Sequence, residues 1–305
     1  MADSGIVRLS KHHGAGNDFL VSVDAAGTGA FTAAEVRALC DRHRGIGADG
    51  LLRATPGPLP GTLSMELLNT DGSGAEMSGN GVRCLVHAAV RTGLVEAGTV
   101  VVHTAAGPRT VRFRHEDQAG LGYATVDMGA VVLGEELSVP DVATARAARH
   151  VRVGNPHVVL LVDGADDDLV AHAGARISRS VPGGANVEFA WPGPEHGALT
   201  MRVWERGVGP TLACGTGACA AASAAHAWGL VGTRVRVHDV GGTLEVTLDG
   251  GAAELAGPTQ WVADVEVERS VLAQLAKDDA AIGRSGERGE TGVARLEASE
   301  VAIRS

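Results

Sequence analysis

Two stretches of this chain copy each other, and a duplication on that scale constrains the fold more than any other feature. EMSGNGVRC carries Ser78-Gly79-Asn80-Gly81, and LACGTGACA carries Cys214-Gly215-Thr216-Gly217, 136 positions later. At the same offset Met65 matches Met201, Asn69 matches Glu205, and Gly50 falls opposite Asn186. At nearly that offset Gly16-Asn17 matches Gly154-Asn155. A chain of 305 residues divides this way into two units of ordinary domain size. Each half brings one small nucleophilic side chain to a Gly-rich turn. One is a hydroxyl and the other a thiol.

Hydrophobic patterning fills in the halves. Residues 6–9 and 20–23 read as strands around the loop KHHGAGND. Residues 32–43 read as a helix, with Thr32 as N-cap and Glu35 three positions on. A strand over 63–69 ends at Asn69, a helix covers 81–92, and 99–103 with 109–114 make a hairpin. The second half repeats the scheme. It has strands within 151–163, 185–191 and 198–205, an Ala-rich helix over 217–229, the hairpin VRVHDV and TLEVTL, and a last strand over 261–268. Roughly one long helix per half follows the Gly-x-Gly turn. The expected fold class is α+β, with two pseudo-symmetric domains. Each is a curved, mostly antiparallel, barrel-like sheet around a central helix, and the two helix N-termini face each other. The expected units are 1–122, with 261–275 returning to it, and 123–260. Residues 276–305 are polar and patternless, as expected of a flexible tail.

Composition excludes several function classes. Aromatics are only 3%, so the cores must be aliphatic. A net charge of −10 argues against nucleic acid, whose phosphates need basic stripes. The four cysteines (Cys40, Cys84, Cys214 and Cys219) have neither zinc spacing nor the density of a disulfide scaffold. The N-terminus has no apolar signal region, and no apolar run approaches the roughly 20 residues of a membrane span. The expectation is a cytoplasmic protein with free thiols and no membrane partner. No Gly-Lys-Ser/Thr follows either turn, and neither opens a G-x-G-x-x-G unit, so no nucleotide site is expected. No metal and no cofactor are expected.

The turns themselves suggest chemistry. A helix N-terminus presents unpaired N–H groups and partial positive charge, and glycine lets a ligand approach the backbone. A carboxylate fits there. A thiol at such a turn is expected to have a lowered pKa. Two converging turns would hold one carboxylate with a proton-transfer group on either side of the adjacent carbon. Preorganised N–H donors would then stabilise the charge that gathers on that carboxylate as the proton leaves.

At these residues the chain resembles the diaminopimelate epimerases, members of a cofactor-independent racemase and epimerase superfamily. The likeness covers nearly all of residues 6–270. It is carried by HGAGNDF (13–19), RHRGIGADGL (42–51), NTDGSGAEMSGNGVRC (69–84), GNPHVV (154–159), ANVEF (185–189) and WERGVGPTLACGTGACAAA (204–222). The resemblance implies an isomerase of amino-acid biosynthesis, a small amino-acid substrate and a homodimer. It implies a catalytic pair, of which one member is Cys214. The other family cysteine is replaced here by Ser78. Cys84 matches a different family cysteine and is expected in the core. By the same resemblance His157 and Glu205 tune the proton-transfer groups. Gly79, Asn80, Gly215 and Thr216 hold the reacting carboxylate, and Asn17, Asn69, Asn155, Asn186, Glu205 and Arg206 hold the rest of the substrate. The chemistry agrees: a distal carboxylate suits the forked Arg206, and ammonium groups suit Glu205 and amide oxygens.

Ser78 leaves three readings open. A hydroxyl is a far weaker acid than a thiol and yields negligible alkoxide without a strong base beside it. The chain is then an epimerase of LL- to meso-diaminopimelate with weakened or one-sided activity. Alternatively it is a paralogue that isomerises, racemises or dehydrates another amino acid, or a catalytically dead amino-acid-binding protein. Retention of the substrate-holding residues favours the first two.

Overall fold

The computed structural model describes residues 5–139 and 142–279. Its first half runs β1 (Ile6–Gly14), β2 (Asn17–Val23), α1 (Ala33–Cys40), β3 (Gly50–Pro56), β4 (Leu63–Asn69), β5 (Gly74–Ala75), α2 (Gly79–Arg91), β6 (Gly98–Thr104), β7 (Gly107–His115) and β8 (Leu121–Ala130). A short β9 (Val132–Glu136) leads into the second half. That half runs β10 (Ala147–Val153), β11 (Asn155–Leu161), α3 (Asp167–Ser180), β12 (Asn186–Pro192), β13 (Leu199–Glu205), β14 (Gly209–Thr211), α4 (Gly215–Ala227), β15 (Arg234–Asp239), β16 (Gly242–Asp249) and β17 (Ala252–Glu268).

The element order repeats, and so does the pairing. β1–β2 and β10–β11 are antiparallel hairpins, and β2–β3 and β11–β12 are parallel. β3–β4 and β12–β13 are antiparallel, and β4–β6 and β13–β15 are parallel. The first hairpin turns at Ala15 (φ 52°) and Gly16 (φ 81°), the left-handed pair that a tight two-residue hairpin requires.

The halves share strands. β17 pairs with β16 over its first residues, with β8 from Ala252 to Gln260, and with β1 from Gln260 to Glu268. The first half thereby closes as β1-β2-β3-β4-β6-β7-β8-β17. In the second half β9, one residue beyond β8, closes onto β10. Closure removes the edges that open sheets expose.

Each barrel is filled by one helix. Residues 79–89 of α2 and 215–225 of α4 are buried without exception. α4 is almost entirely Gly, Ala, Ser and Thr in this stretch, and its small side chains let the surrounding strands approach closely. The two helices and their barrels form one aliphatic core, in line with the scarcity of aromatic residues.

Several expectations need correction. Among the described residues each half carries two helices, and a further helical stretch follows β17. α3 was not predicted, although Asp166 caps it and Val170, Ala173 and Ile177 face the core. Gly174 in the middle of its apolar stripe weakens the helical pattern. α1 does carry the expected capping box between Thr32 and Glu35. The last strand begins at Ala252, nine residues early, across Gly257-Pro258. β8 and β9 were also missed, since their Gly and Ala residues blur the alternation. The helical stretch over 269–279 packs Leu272 beside α1, so residues 276–279 belong to a helix, not to a tail. Residues 280–305 lie outside the described residues. Among those described, no helix is long and apolar enough to cross a membrane.

Candidate active site

Ser78 and Cys214 hold the same local position. Each is the N-cap of a barrel helix with extended backbone (φ −135°, ψ 123° and φ −128°, ψ 114°). Ser78 Oγ accepts from the Gly81 N–H at 3.0 Å, and Cys214 Sγ from the Gly217 N–H at 3.4 Å. Both side chains are thus directed over their helix N-termini.

The two N-termini touch. A Cβ on Gly215 would lie 3.3 Å from the Gly79 Cα and 2.7 Å from a Leu255 methyl. A Cβ on Gly79 would meet the same methyl at 2.7 Å. Leu255, on the shared strand β17, therefore buttresses both turns, and only glycine fits at either. The unpaired N–H groups of both helices open into a cleft of about 490 Å³.

This cleft is lined by Ser78, Cys214, Gly79, Asn80, Gly215, Thr216, Asn17, Asn69, Asn155, Asn186, Glu205 and Arg206. All the sequence-selected residues except His157 meet there. His157 is fully buried behind the wall, with Nε2 2.9 Å from Asn155 Oδ1 and Nδ1 2.7 Å from Glu188 Oε1. Cys84 is buried away from the cleft, with its sulfur accepting from the Thr259 hydroxyl at 3.6 Å. Cys219 is buried in α4.

Hydrogen bonds position most of the lining. Asn186 donates to Cys214 Sγ at 3.8 Å and accepts from the Arg206 backbone at 2.9 Å. The Thr216 hydroxyl lies 3.4 Å from Cys214 Sγ. Asn80 donates to Asn17 Oδ1 and to the Ala213 carbonyl, both at 3.3 Å, and so ties α2 to the residue preceding Cys214. Asn17 donates to Asp49, Asn69 to Ser73, and Arg206 to the Gly183 carbonyl.

The electrostatics of the Cys214 turn differ from expectation. Burial, then the nearby carboxyls of Glu205 and Glu188, push the thiol well above its ordinary value. The Thr216 hydroxyl and the Gly217 N–H oppose this only in part. The helix N-terminus does not win, because desolvation penalises the thiolate before any dipole can favour it. Glu205 is itself raised to about 6, chiefly by burial, although the Thr211 hydroxyl donates to it at 2.5 Å. Asp239 is raised further, by burial and then by Glu188 and Glu205.

Besides Asp239, two residues here had not been expected. Glu188 is fully buried, with Oε2 unpartnered, and a Cβ on Gly217 would lie 2.7 Å from its other oxygen. Its signal was an acid in the apolar run NVEFAW. Arg83 is fully buried in α2 and is drawn down to about 10 by that burial. Its signal was a cation in GVRCLVHAAV. Among the described residues no group of three His, Cys, Asp or Glu side chains is arranged to hold a metal.

Two pseudo-symmetric α+β barrels with facing helix N-termini form a fold that recurs in solved epimerases and phenazine biosynthesis proteins. A hydroxyproline epimerase from Agrobacterium vitis superposes with a TM-score of 0.67 at 18% identity, over 88% of this chain and 94% of that one. A phenazine biosynthesis protein from Bacillus anthracis superposes with a TM-score of 0.65 at 14% identity, over 86% and 99%. Sequence narrows the assignment. Residues 9–134 and 149–262 match the diaminopimelate epimerase family. The diaminopimelate epimerases of Mycobacterium ulcerans and Thermobifida fusca are each 40% identical to this chain, over 85% and 87% of it and 96% and 100% of their own lengths. The chain belongs to the diaminopimelate epimerase family and is an isomerase.

Proposed function

We propose that the chain epimerises LL-diaminopimelate to the meso form. The α-carboxylate sits on the N–H groups of Gly79, Asn80, Gly215 and Thr216. Cys214 exchanges a proton with one face of the α-carbon, and Ser78 stands at the other. The observation that supports this best is the contact of the two helix N-termini, each capped by one of these side chains, at the floor of one cleft. The carboxylate gains charge as the α-proton leaves, and two sets of preorganised donors offset that gain. Glu205, near Cys214, takes up charge changes at the thiol, and His157 orients Asn155. The amides of Asn17, Asn69, Asn155 and Asn186, together with Arg206, hold the distal amino-acid group. The reading includes a homodimer in the cytoplasm.

Ser78 makes the two faces unequal. Proton exchange through Cys214 is expected to outrun inversion, because the hydroxyl returns a proton from the Ser78 face slowly. The test is solvent deuterium incorporation at the α-carbon of LL-diaminopimelate, followed by NMR together with stereochemical analysis. Wash-in faster than inversion supports the proposal. No wash-in with diaminopimelate, but wash-in with another amino acid, would replace it by the paralogue reading. Binding without exchange of any amino acid would replace it by the binding-protein reading.

A further inference from the structure

Arg83 is one of the largest fully buried side chains of the protein. Its guanidinium folds back along α2. Nη1 donates to the Gly79 carbonyl at 3.2 Å and Nη2 to Asn80 Oδ1 at 2.8 Å, while Nε has no partner. Its other neighbours leave space for it. A Cβ at Gly14 would come within 3.0 Å of Nη2, and one at Gly257 within 3.5 Å. The ionisable groups that influence it are Cys84, Tyr123 and Cys219, none of them a carboxylate. The site's own carboxyls, Glu188 and Glu205, instead crowd Cys214.

A buried cation normally has an anionic partner, because neutral oxygens alone do not repay its lost hydration. Among the described residues Arg83 has only two hydrogen-bond acceptors, both neutral oxygens. Both belong to the first turn of α2, where the helix is already positive and where α4 adds a second positive end. The junction thus collects three sources of positive potential, and its carboxyls, Glu188 and Glu205, lie on the α4 side at Cys214 and not beside Arg83. The duplicated position, 136 residues on, is the neutral Cys219, so the extra charge comes from one half only. Arg83 also holds the amide that straps the halves together, since Asn80 reaches Asn17 and Ala213 with its other end.

We propose that Arg83 is a positioning residue of the carboxylate pocket. It fixes Asn80 as the strap between the halves and leaves a buried positive charge that the substrate's α-carboxylate completes. This rests on the proposed binding of that carboxylate at the two helix N-termini.

The experiment is calorimetric titration of the full chain and of its Arg83→Lys and Arg83→Gln variants with LL-diaminopimelate, L-lysine and L-alanine. Glutamine keeps N–H donors but no charge, and lysine keeps the charge without the fork. The expected result is a Kd raised by about tenfold or more in Arg83→Gln and by only about threefold in Arg83→Lys. KM is expected to move with Kd, and kcat less. Wild-type affinity in Arg83→Gln, or an Arg83→Lys variant as weak as Arg83→Gln, would overturn the proposal. Arg83→Met serves as the neutral variant if Arg83→Gln does not fold. Binding of lysine or alanine but not diaminopimelate would sink the substrate assignment alone and leave the Arg83 comparison intact. Binding of none of the three would sink both.

Discussion

The Ser78 and Cys214 turns share one backbone and two different surroundings. The strand residues beside Cys214 are His157, Glu188 and Glu205. Register matches them to Phe19, Leu52 and Asn69 in the Ser78 half. Thr211, which holds Glu205, corresponds to Ala75. At Gly217 an added Cβ would strike the Glu188 carboxyl, whereas at Gly81 the strand side chain in reach is a Leu52 methyl, at 3.4 Å. Backbone geometry is therefore alike in both halves, while the titratable groups gather around one of them. A helix N-terminus positions a side chain, but neighbouring strands decide what that side chain can do.

Breaking the comparison should have its largest effect at the thiol. Cys214→Ala is expected to lower α-proton exchange by about a hundredfold to ten-thousandfold, as read by deuterium wash-in, because it removes the proposed proton-transfer group of that face. Residual exchange near the wild-type rate would mean that the armed side has been misassigned.

Ser78→Cys makes the caps chemically alike. Inversion of LL-diaminopimelate is expected to rise by about a hundredfold, with wash-in changing less. An unchanged inversion rate in a polarimetric assay would show that position 78 does not limit the reaction.

Glu205→Asn copies the first half's residue into the second, but Glu205→Gln tests the charge more cleanly. Glu205 is raised from 4.5 to about 6, so the folded protein binds its proton more tightly than the unfolded chain does. That contribution is fully present below pH 4.5 and is lost as pH rises through 6, for about 2 kcal/mol in all. Urea unfolding of wild type and Glu205→Gln at pH 4 and pH 7 should therefore differ by that amount in pH dependence. Parallel pH profiles would remove Glu205 from the buried acid cluster.

The smallest effect is structural. Ser78→Ala removes the cap bond to Gly81 and should cost about 1 kcal/mol in urea unfolding. A variant as stable as wild type would leave Ser78 without a capping role and sharpen the case for a chemical one.

Much of this was legible in the chain. The constant offset aligned the two turns, the Gly residues marked the close approach, and Thr32 with Glu35 announced α1. The amides and Glu205 were found as members of motifs, and they do share one cleft. Helix α3, strands β8 and β9 and the first half of β17 were not legible. The Ala, Gly and Pro residues of these strands carry little periodic signal, and long-range pairing rather than local propensity makes the strands regular, while in α3 the small Ala173 and Gly174 weaken an apolar stripe at helical spacing. Glu188 and Arg83 were passed over because a charge in an apolar run has no sequence feature that says whether it is buried.

By itself the sequence determined that two equivalent helices begin at Ser78 and Cys214, because capping and glycine content act within a few residues. Only the tertiary structure decided the acidity of Cys214, the single-sided cluster of carboxyls and the burial of Arg83. Those properties come from desolvation and from partners on distant strands, and they arise only once β17 closes both barrels around the helices.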